Sequence, residues 1–453
     1  MTAPEVGTRT SATPSPSWRD AFAVYLQRRV LIVLLLGFSS GLPLALSGST
    51  LLVWMRESGV DLGTIGLFAL VGTPYTLKFL WAPLVDAMHV PLLTRRFGRR
   101  RGWLVFSQAL LIVAILLLAL TDPARSPLFV ALGALLVATT SSTQDIVVDA
   151  FRVESLPESE QAAGMASYVA AYRIGVLVST AGALFLVSGF ENTGIPRSSA
   201  WMWGYVVMAA MVLIGTATAL VATEPEQSVR AEAATSTEAA FSRVLHAAIG
   251  AFSEFLGRKD AWAALVFVVL FKFTDAFSGT MTAPFVIDLG FTRNDYAAIV
   301  KGVGLAATLI GGFAGGFVAR RYSLAASLWI GGVLQAVANL SFSWLALTGK
   351  SEWALAFAIT AENFTSAIGT VIFVAYLSAL CRNPLHTATQ YALLTALSAV
   401  GRTYLSSGAG YVARATGWPL FFAVCVLVAI PSLILLLWLQ QRGHFDELGP
   451  VKV

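Results

Sequence analysis

The organisation of this chain is decided by one hydrophilic stretch, residues 223–260, which reads TEPEQSVRAEAATSTEAAFSRVLHAAIGAFSEFLGRKD. The stretch lies near the middle of 453 residues, with a series of long apolar runs on each side. Each run approaches the ~20 residues that an α-helix needs to cross the hydrocarbon core of a bilayer. The sequence therefore predicts two groups of about six transmembrane helices joined by a polar linker.

The composition supports this prediction and excludes an ordinary soluble enzyme. Hydrophobic residues make up 57% of the chain and charged residues 12%, with a mean hydropathy of +0.73. Soluble globular domains carry about 25% charged residues. A transmembrane β-barrel is also excluded, because the apolar residues form continuous runs rather than alternating segments of about ten. An all-α membrane protein remains.

The apolar runs also predict where the parts of the molecule begin and end. A cytoplasmic tail (1–29) leads into an N-terminal six-helix bundle (30–222). After the cytoplasmic linker (223–260) come a C-terminal six-helix bundle (261–440) and a second cytoplasmic tail (441–453). The predicted helices, about twelve by length, cover residues 30–55, 61–85, 103–121, 127–150, 162–188, 199–222, 261–288, 294–319, 323–348, 352–380, 387–413 and 418–440.

The basic residues fix the predicted orientation of these helices. With the N-terminus inside, most of the 30 Lys and Arg residues fall in cytoplasmic segments. The positive-inside rule therefore places both termini in the cytoplasm. The net charge of +5 is then a topology signal and does not indicate nucleic-acid binding. Two isolated cysteines, Cys381 and Cys425, make neither a metal site nor a disulfide framework, and no cofactor is predicted.

The two halves resemble each other, which narrows the fold. Gly59 and Gly72 open the second predicted helix much as Gly290 and Gly304 open the eighth, about 231 residues later. Two six-helix repeats joined by a cytoplasmic linker are typical of the major facilitator fold, in which the bundles enclose a site near the membrane midplane. Within the linker, residues 241–256 place apolar side chains at helical spacing, which predicts an amphipathic helix along the membrane surface.

Ionisable and amide side chains inside the predicted helices are the candidates for function. A charge in the hydrocarbon core costs a few kcal/mol, so each one needs a water-lined cavity, a partner or a task. The N-terminal half contributes Lys78, Gln144, Asp145, Asp149 and Arg173, and the C-terminal half contributes Lys272, Asp275, Lys301, Glu362, Asn363 and Arg402.

Two of these carboxylates lie one turn apart in the fourth helix. Asp145 follows a polar run, and two roles are open for it: a proton-binding group, or half of a static ion pair with Arg173. Asp149 lies near the cytoplasmic end, where Arg152 can pair with it at i,i+3 spacing. Lys78 in the second helix either reaches the interface or serves inside the bundle.

The C-terminal half offers a similar set of alternatives. Lys272 and Asp275 either neutralise each other or change partners as the bundles move. Glu362 interrupts the tenth helix near its middle and is the second proton-binding candidate. Lys301 and Arg402 could hold an anionic substrate group or be the partner of Glu362.

Several motifs resemble those of the AmpG muropeptide permease family. They include GLPL at residues 41–44, YTLKFLWAP at 75–83, TQDIVVDA at 143–150 and the pair Tyr172-Arg173. FVAY at 373–376 and TQYALL at 389–394 extend the resemblance over about residues 30–415. The second-helix and fourth-helix blocks are the more specific ones.

The resemblance implies an activity, a location and a driving force, and the ionisable and amide residues inside the helices are the candidates for its chemistry. It implies a proton-coupled importer in the inner membrane of Gram-negative bacteria that carries anhydromuropeptides from periplasm to cytoplasm for peptidoglycan recycling. Protons would bind Asp145, with Glu362, Asp149 and Asp275 as further carboxylates. The partners would be a sugar-peptide, protons and membrane lipid, and the protein would act as a monomer. The expected substrate-binding residues are Lys78, Gln144, Tyr172, Arg173, Lys272, Lys301, Asn363 and Arg402.

A general signature of this superfamily also has a counterpart between the second and third helices. Asp86 is followed by Gly98, Arg99 and Arg100, which are expected to form a conformational latch. The spacer between Asp86 and Gly98 is longer than the usual short turn.

Three other functions stay open on the sequence. An importer of another organic anion, such as a siderophore, would differ only in its pocket lining. A drug–proton antiporter is disfavoured because the fifth helix lacks a Gly-Pro pair. An embedded enzyme is disfavoured because all 4 His residues lie in predicted loops or the tail, without metal-ligand spacing.

Overall fold

Long apolar helices account for most of the chain in the computed structural model. The structure describes residues 23–225, 257, 259–381 and 387–448. The first part of the predicted N-terminal tail, the predicted linker helix at 241–256 and the last residues of the C-terminal tail lie outside the described residues. Within the described part the chain is helical and contains no strand.

The membrane helices are numbered α1 to α12 in chain order. Ten of them, among the described residues, are long and apolar enough to cross a membrane. The other two, α2 at 62–87 and α11 at 387–416, are broken into short pieces. The ten are α1 Arg28–Glu57, α3 Arg99–Ala119, α4 Pro127–Ser155, α5 Ala163–Asn192, α6 Arg197–Val221, α7 Ala261–Asp288, α8 Arg293–Arg321, α9 Leu324–Thr348, α10 Glu352–Leu380 and α12 Trp418–Gln441.

The prediction of a continuous second helix is wrong. In α2, 3₁₀ segments at Phe68–Gly72 and Lys78–Leu80 separate the short helices Leu62–Leu67, Thr73–Leu77 and Ala82–Ala87. Pro74 and Pro83 stand in the first turns of the two later pieces, where the missing proline N–H is tolerated and the preceding helix cannot continue through it.

The eleventh helix is also broken into pieces. It ends at Thr416, three residues after the predicted end at residue 413. Thr387–Thr403 is followed by a 3₁₀ turn at Leu405–Gly408 and a last helix at Ala409–Thr416. Two further helices carry π-helical turns, α5 at Val178–Gly182 and α8 at Tyr296–Val303. Such turns are frequent at functional sites.

Two features differ from the sequence prediction at the end of the molecule that contains both chain termini. Helix α3 begins at Arg99, so the arginines expected in a loop form its first turn. The chain after α12 is not simply a tail, because a short helix at His444–Leu448 follows. His444 is buried there, and its Nε2 lies 3.1 Å from the hydroxyl of Tyr376.

Glycines allow the helices of each bundle to approach closely. A Cβ on Gly41 would lie 2.2 Å from the carbonyl oxygen of Tyr172, which brings α1 and α5 into backbone contact. In the other bundle a Cβ on Gly311 would lie 2.3 Å from the carbonyl oxygen of Phe364, between α8 and α10. Such contacts through small residues stabilise helix pairs in membranes by close packing.

The repeat predicted from the glycines is also present in the backbone geometry of the two halves. Gly59 and Gly290 both adopt positive φ, +82° and +86°, in the turns that end α1 and α7. Each turn leads to a capped helix: Asp61 accepts a hydrogen bond from the Thr64 N–H, and Thr292 from the Asp295 N–H. The Thr64 hydroxyl and N–H both donate to Asp61 and hold its pKa below the usual value.

The two bundles meet along α2 and α11 on one side and α5 and α8 on the other. We call the end of the molecule away from both termini the outer end. There a Cβ on Gly66 would lie 2.8 Å from the backbone nitrogen of Gly410. Deeper in the interface the hydroxyls of Thr76 and Thr403 share a buried hydrogen bond of 2.9 Å. The outer end is therefore closed in this structure.

Candidate functional site

A polar cluster inside the N-terminal bundle surrounds Asp145. The hydroxyl of Ser40 on α1 donates to the Asp145 carboxylate on α4, which is only 9% exposed. The hydroxyl of Tyr168 on α5 lies 3.3 Å from the Ser40 hydroxyl. Side chains from three helices thus form a short chain of hydroxyl groups that ends at one buried carboxylate.

Lys78 is the cation whose charge acts on this cluster, and Arg173, the other partner considered for Asp145, lines the cavity between the bundles instead. The Lys78 ammonium attracts both Asp145 and Asp149. Its place in the 3₁₀ break of α2 turns a half-buried side chain toward the bundle interior, which favours an internal role over contact with the interface. Asp149 pairs with Arg152 at 3.8 Å, as the i,i+3 spacing predicts.

A second cluster lies inside the C-terminal bundle. Lys272 on α7 pairs with Asp275 at 3.1 Å and donates to the hydroxyl of Thr370 on α10 at 3.0 Å. Glu362 accepts a hydrogen bond of 2.7 Å from the amide of the adjacent Asn363. The Asn363 carbonyl in turn accepts from Thr308 on α8 at 3.2 Å.

Charges of both signs act on Glu362. Lys301 and Lys272 attract this carboxylate, while Asp275 repels it. Of the two partners that the sequence left open, Lys301 lines the same cavity as Glu362 and Arg402 does not. Arg402 is exposed. Its positive charge, like that of Arg173, interacts electrostatically with the hydroxyl group of Tyr172.

A cavity of about 260 Å³ lies between the two bundles. Arg173 and Thr180 of α5 line it from the N-terminal bundle. Lys301, Glu362 and Asn363 line it from the C-terminal bundle. The Lys301 ammonium lies 5.4 Å from the centre of the Tyr296 ring, a cation–π distance at the cavity wall.

Three of the eight predicted substrate residues therefore meet at one cavity, and five do not. Arg173, Lys301, Asn363 and the proton candidate Glu362 line it. Gln144 is fully buried at 0% exposure in α4 and does not line this cavity, so its substrate role stays a prediction. Lys78, Tyr172, Lys272 and Arg402 lie outside the cavity lining.

Comparison with known proteins places this architecture in a family. The model of the Major Facilitator Superfamily matches residues 33–405. The chain is 40% identical to the anhydromuropeptide permease of Escherichia coli K12, over 94% of this chain and 82% of that protein. This chain belongs to the AmpG permease family.

Two further similarities agree with that assignment. A Rickettsia felis protein that carries the name transporter AmpG 4 is 35% identical over 92% of this chain and 98% of its own. A crystal structure of a D-xylose–proton symporter superposes with a TM-score of 0.66 at 12% identity, covering 91% of this chain and 97% of that one. The second similarity concerns the fold alone.

The predicted latch residues of this AmpG-family protein cap the third helix. Gly98 has φ +90°, and a Cβ there would lie 2.5 Å from the side chain of Glu224. The Glu224 carboxylate accepts from the backbone N–H of Arg100 at 2.8 Å. Arg100 also forms a bidentate contact with Glu154, and Arg99 reaches the same carboxylate at 4.0 Å. The Asp86 side chain lies outside the described part, so its role in the latch stays a prediction.

The sequence analysis missed a group of residues at the outer end. Arg293 at the start of α8 binds Glu57 at the end of α1, and Arg56 binds Asp288 at the end of α7. Both pairs join the two bundles. The available signal was weak: Glu57 and Asp288 occupy matching positions in the repeat, two residues before Gly59 and Gly290.

Proposed function

We propose that this permease imports anhydromuropeptides, that is, N-acetylglucosaminyl-1,6-anhydro-N-acetylmuramic acid and its peptides, from the periplasm into the cytoplasm. The substrate class comes from the named Escherichia coli relative, whose similarity extends over 94% of this chain. Import would occur by alternating access, in which the bundles expose one central site to each side of the membrane in turn. The protein would act as a monomer in the bacterial inner membrane.

The observation that carries the proposal is the meeting of two cations from opposite bundles at one cavity. Arg173 and Lys301 both line the space between α5 and α8. The lactyl group and the peptide stem of a muropeptide bear carboxylates, which a guanidinium binds in a bidentate manner and an ammonium as a point charge. The amide of Asn363 offers a neutral polar contact to the sugar or peptide groups.

Proton coupling is assigned to the buried carboxylates. Asp145 has a hydroxyl donor in Ser40 and a cation in Lys78, so a change in its protonation alters the balance of charge inside the N-terminal bundle. Glu362 lies at the cavity itself and is the alternate proton site. Protonation of either group would bias the equilibrium between the two conformations. Asp149 and Asp275, each paired with a neighbouring cation, would modulate this bias.

Competition for uptake tests the substrate class. Purified protein in liposomes is given a labelled anhydro-disaccharide-peptide together with an excess of unlabelled competitor. We expect unlabelled anhydro-disaccharide to abolish the uptake, and an iron chelator or a cationic dye to leave it unchanged. Uptake of a labelled chelator, or extrusion of the dye, without uptake of the muropeptide would contradict the proposal and favour the organic-anion or drug-export alternatives.

A further inference from the structure

Ser40 lies in a close backbone contact between α1 and α5. A Cβ on Gly37, nearly one turn before it, would lie 2.6 Å from the carbonyl oxygen of Tyr168. A Cβ on Gly41, the next residue, would lie 2.2 Å from the carbonyl oxygen of Tyr172. Residues without a side chain permit such an approach, so the two glycines hold the α5 backbone beside Ser40.

Two hydroxyls at this contact lead away from the buried Asp145. Ser40 is 1% exposed and donates to the Asp145 carboxylate, and its hydroxyl oxygen lies 3.3 Å from that of Tyr168. Either atom of this second pair can be the donor. The separation is long for a hydrogen bond between two hydroxyls, and the backbone contact between α1 and α5 keeps it from increasing.

Tyr168 lies toward the cytoplasmic side of the N-terminal bundle. The Arg152 guanidinium lies 5.9 Å from the centre of its ring, and the negative charge of Asp149 acts on its hydroxyl. Arg152 and Asp149 form the 3.8 Å pair near the cytoplasmic end of α4, in which the Asp149 side chain is 47% exposed. Tyr168 therefore lies between a carboxylate that is nearly excluded from water and one that water reaches.

We propose that Asp145, Ser40 and Tyr168 form a proton relay, through which Asp145 exchanges its proton with water on the cytoplasmic side. The proposal rests on the proton coupling that the proposed function assigns to Asp145. For release, Asp145 gives its proton to the Ser40 oxygen, Ser40 gives its own to the Tyr168 oxygen, and Tyr168 gives its own to water. One O–H bond forms for each that breaks. Both hydroxyls end neutral, and the products are a carboxylate and a hydronium ion.

The groups around Asp145 favour this route over a direct transfer to the nearby cation. The Lys78 ammonium attracts the carboxylate, but it has donors only and cannot accept the released proton. The Ser40 hydroxyl contacts the carboxylate and can both accept and donate. Apart from Tyr168, the titratable groups near Asp145 include Tyr75 and Lys78 on α2, Asp149 on α4 and Tyr172 on α5.

Infrared spectroscopy of the purified protein tests the relay without any substrate. A caged acid releases protons in a light flash, and the C=O band of protonated Asp145 is identified as the band that Asp145→Asn removes. The rate at which this band rises is measured for the parent, Ser40→Ala and Tyr168→Phe. Uptake reports on release, because the relay passes protons in both directions. A static titration of the same band gives the pH at which Asp145 is half protonated.

We expect the band to rise about tenfold more slowly in each variant, which corresponds to ~1.4 kcal/mol in the barrier. In Tyr168→Phe the midpoint of the static titration should stay at the parent value, because the hydrogen bond from Ser40 to Asp145 is intact. A residue that only supported the structure would not separate rate from midpoint in this way. Ser40→Thr retains a hydroxyl and should recover most of the rate.

Two buried hydroxyls of the same bundle provide matched controls. Ser39, next to Ser40, is 0% exposed, and a Cβ on Gly215 of α6 would lie 2.2 Å from its hydroxyl oxygen. The hydroxyl of Tyr205 donates to the carbonyl oxygen of Leu46 at 2.9 Å. Ser39→Ala and Tyr205→Phe should therefore leave the rate unchanged. A melting curve shows that each variant is folded.

The outcomes separate the relay from the proposed function. A parent-like rate in either Ser40→Ala or Tyr168→Phe would overturn the relay and leave the coupling role of Asp145 standing. Equal slowing in the two control variants would also overturn it, since any loss of a buried hydroxyl would then have the same effect. A band that does not respond to pH in the parent would refute both the relay and the assignment of the proton to Asp145.

Discussion

The hydroxyls of Thr76 and Thr403 lie 2.9 Å apart in a buried hydrogen bond between α2 and α11. Both residues belong to broken helices of opposite bundles. 3₁₀ segments interrupt both helices near these residues, and toward the outer end Gly66 and Gly410 bring α2 and α11 into backbone contact. During alternating access this closely packed interface must open and then close again.

The first prediction concerns the glycines of this interface. Gly410→Ala places a Cβ 1.8 Å from the carbonyl oxygen of Leu62, so α2 and α11 can no longer close against each other. We expect uptake to fall at least ~10-fold, since the outer end must close in every cycle. Gly408→Ala is the matched control, because a Cβ there meets no atom within 4 Å. Equal uptake by the two variants, at equal expression, would show that this contact is not needed.

The second prediction separates coupling from transport. Asp145→Asn preserves the size of the side chain and removes its ability to take up and release a proton. We expect the variant to exchange labelled for unlabelled substrate at a rate close to the parent and to lose accumulation driven by a proton gradient. Asp149→Asn, beside Arg152, should retain most of the accumulation.

The same pair of assays distinguishes the two proton candidates. If Asp145→Asn accumulates substrate as well as the parent does, the assignment to Asp145 fails. Loss of accumulation in Glu362→Gln together with normal exchange would then identify Glu362 as the coupling residue.

A third prediction addresses the cavity cations. Arg173→Gln and Lys301→Gln each remove one positive charge from the cavity lining. We expect KM for a peptide-bearing substrate to rise about tenfold in each, which corresponds to 1.4 kcal/mol. Arg173→Lys retains the charge but not the bidentate geometry, so it should lie between parent and Arg173→Gln. An unchanged KM in both Gln variants would show that these two residues do not bind the substrate.

A fourth prediction concerns the stability of the C-terminal bundle. Lys272 and Asp275 form a 3.1 Å pair whose side chains are about one-fifth exposed, at 21% and 20%. Removing one partner leaves a poorly solvated charge, which we expect to cost roughly 2–3 kcal/mol. The double variant Lys272→Met/Asp275→Leu should recover most of that loss in a detergent melting curve. A double variant as unstable as the sum of the single ones would mean that the two residues act independently.

Much of the fold could be predicted from the sequence because it depends on local properties. Continuous apolar runs, the position of the polar linker and the distribution of arginines each report on single segments of chain. The glycines of the repeat indicated the two similar halves for the same reason, because the local turn requires a positive φ at Gly59 and at Gly290.

The broken helices and the outer contacts could not be found in this way. An apolar run is equally compatible with a straight helix and with the 3₁₀ breaks of α2. Pro74 and Pro83 mark these breaks, but proline is also tolerated within membrane helices and does not by itself predict them. The partners Glu57 and Arg293 are 236 residues apart in the chain, and the signal that the sequence offers is weak, namely that Glu57 and Asp288 occupy matching positions in the repeat. In the candidate site, the sequence indicated the residue types but left their contacts open: Lys78 of α2 is the cation that acts on Asp145, and Arg173 of α5 lines the cavity.

Uptake under an imposed proton gradient tests the central claim most directly. Liposomes containing the purified protein are loaded at about pH 7.5 and diluted into buffer of about pH 6 or about pH 7.5 with labelled anhydro-disaccharide-peptide, so that an inward proton gradient is imposed only in the first case. The account predicts accumulation above the outside concentration only with the inward gradient, and its collapse by a protonophore. Accumulation that is equal with and without the gradient, or no uptake at all by protein shown to be folded, would contradict it.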